Sequence, residues 1–204
     1  MAKILFVDID ETIINLNSHI ELINLLITKK KLFLFRIFLS KFFYFLDYLS
    51  IIDLKKIHLK IIKGQHKKDI DRFCYKIINS PNIFNKKIIK IINKFQSEGY
   101  KIILLSETIS EFGELISKKF NFENYYCSEF DYENGFFTGK YKKIHDKLET
   151  IKLYDDPIKY LITDNTKDLN LSPYLKKILF LKNFRNKQYI KKNINKFNNL
   201  ELII

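Results

Sequence analysis

The sequence is poor in the residues that build special architectures. Among 204 residues there are two cysteines, Cys74 and Cys127, five glycines and three prolines. Two cysteines are too few for a disulfide scaffold or a CxxC-type zinc site, and they fit a reducing compartment. So little glycine and proline excludes collagen-like and low-complexity chains. Arginine is scarce as well: only Arg36, Arg72 and Arg185 among 36 basic residues, so the net charge of +13 is almost wholly lysine. Without an arginine-rich stripe or an RNA-recognition signature, no nucleic-acid partner is expected. A solvated lysine surface is the simplest reading of the charge. The first residues do not read as a secretory signal, because residues 3–7 run straight into Asp8 with no small-residue cleavage site. A cytoplasmic protein is expected. No internal repeat is visible.

Long uncharged apolar runs are also missing. The best membrane candidate, residues 32–52, has 14 strongly apolar residues among 21 but includes Arg36, Lys41 and Asp47. Insertion would gain about 7 kcal/mol from the apolar side chains and lose about 8–10 on the three charges. No integral span is expected, although a surface-lying amphipathic segment is the alternative. What the chain does have is 47% hydrophobic and 15% aromatic residues, enough for a sizeable core. Its length suits one domain, or one domain carrying an insertion.

Four short apolar runs read as buried strands: residues 3–7 (KILFV), 101–105 (KIILL), 159–163 (KYLIT) and 177–181 (KILFL). Helical patterns lie between them. Phe84, Ile88, Ile91, Ile92 and Phe95 share one helix face, and Gly99 ends that helix. Residues 109–120 give another helix, 124–127 a short strand, Asn134-Gly135 a hairpin turn, and 144–153 a further helix. Alternating strands and helices predict an α/β fold, a three-layer α/β/α core with a Rossmann-like parallel sheet. Residues 15–80 read as almost wholly helical and interrupt this alternation, so they are expected to be an inserted helical cap. The core is then residues 1–14 and 81–204, with 182–204 a basic, Asn-rich tail.

In open parallel sheets ligands bind at the carboxyl ends of the strands. Here the first strand ends in Asp8-Ile9-Asp10-Glu11-Thr12, the second in Ser106-Glu107-Thr108, and the third runs on through Asp164 to Asp168. Each motif alone is unremarkable, since Asp and Ser after a strand are ordinarily turn formers or helix caps. Their joint occurrence at strand ends is what points to a site. If these strands are neighbours, Asp8, Asp10 and Asp164 converge and repel unless a divalent cation neutralises them; Mg²⁺ is the natural choice.

DxDxT after a first strand, a Ser after a second, a later Lys and DxxxD after a third resemble the haloacid dehalogenase superfamily. With a helical insertion after the first motif, residues 3–182 resemble its phosphoserine-phosphatase-like branch. The resemblance implies a role for each matching residue. Asp8 would be the nucleophile, forming an aspartyl-phosphate, and Asp10 the general acid and then base. The side chains of Asp8 and Asp164 and the carbonyl of Asp10 would hold Mg²⁺. Ser106 would bind a phosphate oxygen, with the amides at Ile9, Asp10 and Glu107. Lys147, 17 residues before Asp164, matches the motif lysine best, and Lys143 is its competitor. Asp168 would complete the acidic network by orienting that lysine or a water at the metal.

An acid at position 10 fits a phosphatase or phosphomutase, because an alcohol leaving group must receive a proton; phosphatase is the better fit. The branch's phosphoserine enzymes carry a Glu seven residues after the second Asp, where this chain has Asn17. They also carry a cap Arg, where this chain offers His58 or Lys56. The expected substrate is therefore a different small phosphorylated metabolite, a sugar, polyol or amino-alcohol phosphate, with an intermediate of cell-surface polysaccharide assembly among the candidates that the resemblance suggests. Asn17 and His58 are the candidate cap contacts. Phosphoserine phosphatase proper is one alternative. The other is a binding protein of the same fold using residues 31–52 and 182–204 on anionic lipid or nucleic acid.

Overall fold

The computed structural model describes residues 3–22, 59–60 and 62–203. Residues 32–52, Lys56 and His58 lie outside these, as does most of the expected cap. Among the described residues no helix is long and apolar enough to cross a membrane.

Seven strands form one sheet: β1 (Lys3–Val7), β2 (Tyr100–Ile109), β3 (Asn124–Glu133), β4 (Phe136–Lys143), β5 (Ile158–Thr163), β6 (Lys177–Leu181) and β7 (Leu200–Ile203). Their order is β4-β3-β2-β1-β5-β6-β7. Every neighbouring pair is parallel except the β3–β4 hairpin. The connections therefore move outward from β1 on one side, then return to its other side. β1 sits at the reversal point, where such sheets open a crevice at their carboxyl ends.

The apolar runs are continuous because both faces of the sheet are covered. Leu5 and Val7 belong to one buried cluster with Ile102 and Leu104, against α1 (Lys67–Ile78), α2 (Lys86–Ser97) and α3 (Ser110–Phe120). Ile4 and Phe6 belong to a second cluster with Ile103 and Leu105, on the side of α4 (Lys147–Lys152) and the 3₁₀ segment Thr166–Tyr174. Alternate side chains of one strand thus feed two separate cores, giving three layers.

Several boundaries differ from the sequence expectation. β2 continues past Leu105 to Ile109, so Ser106 lies within the strand rather than after it. The short strand expected at 124–127 continues to Glu133 and carries the hairpin. The turn has Asn134 at φ +50° and Gly135 at φ +82°, the pair of left-handed residues that a two-residue hairpin turn requires. The helix expected over 144–153 begins at Lys147, capped by Asp146, whose carboxylate accepts from the Leu148 amide at 2.8 Å. The basic segment after Lys182 is ordered into α5 (Lys187–Asn193) and the edge strand β7. Asn199 anchors β7, donating to Ser172 O (2.9 Å) and Leu175 O (2.8 Å). Within residues 15–80, α1 packs into the same cluster as Leu5 and Val7 through Ile70, Cys74 and Ile77.

Candidate active site

At the carboxyl end of β1 the chain makes a wide turn, Ile9–Ile13, closed by the Ile14 amide on Ile9 O at 3.1 Å. Glu11 takes a left-handed conformation in it (φ +55°). Asp8 stands before the turn, 5% exposed, its own amide bonded to Ile162 O of β5 at 2.9 Å. One Asp8 oxygen accepts from the Ile9 amide (2.9 Å), and the other meets Lys147 Nζ (3.1 Å) and Thr163 Oγ1 (3.4 Å).

Lys147, 7% exposed at the start of α4, also bonds Asp168 Oδ2 at 2.6 Å, and Thr163 Oγ1 donates to that same oxygen at 2.6 Å. Burial alone would lower the ammonium's pKa, but the Asp8 and Asp168 charges outweigh it and hold the group charged. Asp168 shifts upward chiefly through burial, with Lys147 opposing. Lys143, the competing candidate, is exposed at the end of β4.

Asp10 points into the same cleft, its Oδ1 accepting from the Ser18 amide at 2.9 Å. Burial, with help from the Asp8 and Glu11 charges, pushes its pKa up to about 7 against the opposing Ser18 bonds. Asp164, after β5, is also pushed up to about 7, by burial and then by Asp8 and Glu11, with Thr12 and Arg185 opposing. Thr12 clasps it twice: Thr12 Oγ1 donates to Asp164 Oδ1 (3.2 Å) and accepts from the Asp164 amide (3.1 Å).

Across the cleft, β2 places three residues between Leu105 and Ile109 where β3 places one between Tyr126 and Ser128. This bulge brings Ser106, Glu107 and Thr108 to the cleft wall. Ser106 Oγ accepts from the Thr108 amide at 3.4 Å, and Thr108 Oγ1 is in close contact with Ser18 Oγ. The cleft has a volume of about 360 Å³. The structure thus gathers Asp8, Asp10, Ser106, Glu107, Lys147 and Asp164 around one space, with Asp168 behind Lys147. Asn17 lines it too, while its Oδ1 caps the short helix over residues 18–22 by accepting from the Ile20 amide at 3.2 Å.

Among the described residues no three His, Cys, Asp or Glu side chains are placed to hold a metal by themselves. A closed zinc-type site is not built here. Asp8 and Asp164, standing beside a cleft open to a phosphate and water, offer with the Asp10 carbonyl the hard oxygen donors that suit Mg²⁺. Sequence reasoning named Thr12 and Thr108 within the strand-end motifs without giving them a role, and missed His19, Asn183, Arg185, Asn186 and Tyr189, which also line or support the cleft. For Asn183, Arg185 and Asn186 a signal existed, since they follow the end of β6, another parallel strand whose carboxyl end faces the crevice.

The sequence matches the family of haloacid dehalogenase-like hydrolases over residues 5–171. No curated protein matches it. Among solved structures, a protein of unknown function from Bordetella pertussis Tohama I superposes with a TM-score of 0.80 at 11% identity, covering 100% of this chain and 99% of that one. A phosphoserine phosphatase carrying a phospho-aspartyl intermediate analogue gives 0.68 at 11% identity, over 97% and 99% of the two chains. A phosphoserine phosphohydrolase-like protein from Francisella tularensis subsp. tularensis SCHU S4 gives 0.68 at 20%, over 98% and 94%. At these identities the likeness is one of fold. The sequence match, spanning most of the chain from β1 through Asp168, is what places this protein: it belongs to the haloacid dehalogenase-like hydrolases.

Proposed function

We propose that the protein is a Mg²⁺-dependent phosphomonoester phosphatase that works through an aspartyl-phosphate on Asp8. The observation that carries this reading is the buried Lys147 ammonium, held between Asp8 (3.1 Å) and Asp168 (2.6 Å) at the end of the central strand with Asp10 in the same cleft. Lys147 holds the Asp8 carboxylate in place as the nucleophile. An Asp8 oxygen attacks phosphorus, the bond from phosphorus to the ester oxygen breaks, and the departing alkoxide takes the Asp10 proton. A carboxyl with a pKa near 7 is still about half protonated at neutral pH, whereas an ordinary aspartate would have lost its proton. Asp10, now ionised, accepts a proton from water; the water oxygen attacks phosphorus, the bond to Asp8 breaks, and inorganic phosphate leaves. The Ser106 hydroxyl and the amides of Ile9, Asp10 and Glu107 receive the phosphoryl oxygens, and Lys147 offsets the charge that builds on them. Asp8, Asp164 and the Asp10 carbonyl would hold Mg²⁺, which supplies further charge neutralisation at the phosphoryl group.

A second cavity of about 430 Å³ adjoins the cleft and shares Glu11, Asn17, Asn183 and Arg185 with it. This boundary of amides and an ion pair (Arg185 to Glu11, 2.6 Å) suits a hydroxyl-rich leaving group, a sugar, polyol or amino-alcohol phosphate. The test is inorganic phosphate release from a panel of phosphomonoesters that includes phosphoserine, with Mg²⁺ or chelator, for wild type and Asp8→Asn. Metal-dependent turnover absent from the variant supports the mechanism. A folded wild type with no turnover, and no melting shift with Mg²⁺ and beryllium fluoride, overturns it.

A further inference from the structure

The turn after β6 is tied to the acidic cluster by three separate contacts. Asn183 Nδ2 donates to Asp164 Oδ2 at 2.8 Å. Asn186, 5% exposed, donates to Asp164 O at 2.9 Å and to Leu181 O at 2.9 Å. Arg185 meets Glu11 at 2.6 Å. The turn is itself braced: Asn183 Oδ1 accepts from the amides of Arg185 (2.9 Å) and Asn186 (3.0 Å), and Asn186 Oδ1 accepts from the Asn183 amide at 2.9 Å. Both amide side chains are committed, with one face of each closing the turn and the other facing Asp164.

We infer that Asn183 is a positioning residue for the metal-binding carboxylate, fixing through Asp164 Oδ2 how that side chain meets a divalent ion. Thr12 holds Oδ1 and Asn183 holds Oδ2, so the plane of the carboxylate is set from both sides before any ligand arrives. Donors to an ionised carboxylate also stabilise the form that binds metal. Nothing in the segment's basic composition announces this, because the work is done by two neutral amides. The inference rests on the proposed reading only in taking Asp164 as a Mg²⁺ ligand.

The test variant is Asn183→Ser, whose hydroxyl can still accept from the turn's amides but is too short to reach Asp164. Asn183→Thr, stiffer with the same capping oxygen, serves if the first is too unstable to titrate. Mg²⁺ alone is titrated into each protein and the rise in melting temperature is followed. The expected result is Mg²⁺ affinity about tenfold weaker or more, the usual consequence of losing a partner behind a metal ligand. In turnover, the half-saturating Mg²⁺ concentration should rise by more than kcat falls at saturating Mg²⁺. A folded variant with wild-type Mg²⁺ affinity overturns the inference and leaves the phosphatase reading standing. A wild type that shows no response to Mg²⁺ in either melting or turnover overturns the inference, while the phosphatase reading falls only if phosphate release and the beryllium fluoride shift are absent too.

Discussion

On the proposed reading Lys147 meets two demands at once, since it would neutralise Asp8 for chemistry while it shields two buried carboxylates for folding. Asp8 and Asp168 share it within 3.1 Å, and Thr163 spans the same pair. Removing one partner from a buried charge group leaves the others uncompensated, which typically costs about 3–5 kcal/mol. Lys147→Met is therefore expected to lose activity and also to unfold at markedly lower urea. Without the lysine, the Asp168 carboxyl, already shifted upward by burial, shifts further. The folded variant then binds more protons than its unfolded chain, so its stability deficit widens as pH rises and narrows on acidification. Urea melts of both proteins at pH 5 and pH 8 measure this, and an equal deficit at both pH values would argue against buried charge as the cause. That Lys147 rather than Lys143 would join these acids was expected from the resemblance to the family's motif lysine, and the structure sets it beside Asp8 and Asp168. That Asn183 and Asn186 support Asp164 was not, because a neutral amide after a strand looks the same whether it caps a turn or serves a site.

Among the elements, strands buried on both faces were the most legible, since a run such as KILFV has no other economical explanation. The misread boundaries share one cause: polarity at a strand end. β2 runs through Ser106, Glu107 and Thr108, which line the cleft, and polarity reads as a strand ending. β7 is four residues at the sheet edge, half-exposed and preceded by a basic stretch, so it carries too little pattern to stand out. A contact between elements is harder still to see. Gly113 on α3 faces β3 so closely that an added Cβ would lie 2.6 Å from Cys127 Sγ and 2.9 Å from the Tyr125 ring. In an open helix Gly→Ala gains about 1 kcal/mol. Here Gly113→Ala is expected to destabilise by about 1–2 kcal/mol, since overpacking of a filled core costs about 1–3. Combining it with Cys127→Ala removes the sulfur that clashes, so the pair should be less damaging than the sum of the single changes. Additive denaturation midpoints would show that the close approach is not what excludes a side chain at this position.

At the scale of the molecule, a chain of net charge +13 gathers Asp8, Asp10, Glu11 and Asp164 at the carboxyl end of its sheet, against the buried Lys147 and the rim residue Arg185. Topology makes this possible: β1 lies between β2 and β5, so acids remote in sequence become neighbours without any local pattern forcing them together. The resulting charge imbalance links metal binding to pH. The carboxyls of Asp10 and Asp164 keep their protons up to about pH 7, against 3.8 for an ordinary aspartate. Between those values the metal-free fold binds more protons than the unfolded chain, so these two groups subtract stability as pH rises. On the proposed reading Mg²⁺ would bind the ionised ligand, and so would compete with the proton on Asp164. Below pH 7 its apparent affinity should fall about tenfold per pH unit for each proton displaced, levelling off above. The gain in melting temperature at a fixed millimolar Mg²⁺ concentration, measured against chelator, should therefore be small at pH 5 and large at pH 8. Calorimetric titration in buffers of different ionisation enthalpy would count the protons released. A gain of the same size at pH 5 and pH 8, with no proton release, would mean that Mg²⁺ binds somewhere other than Asp164.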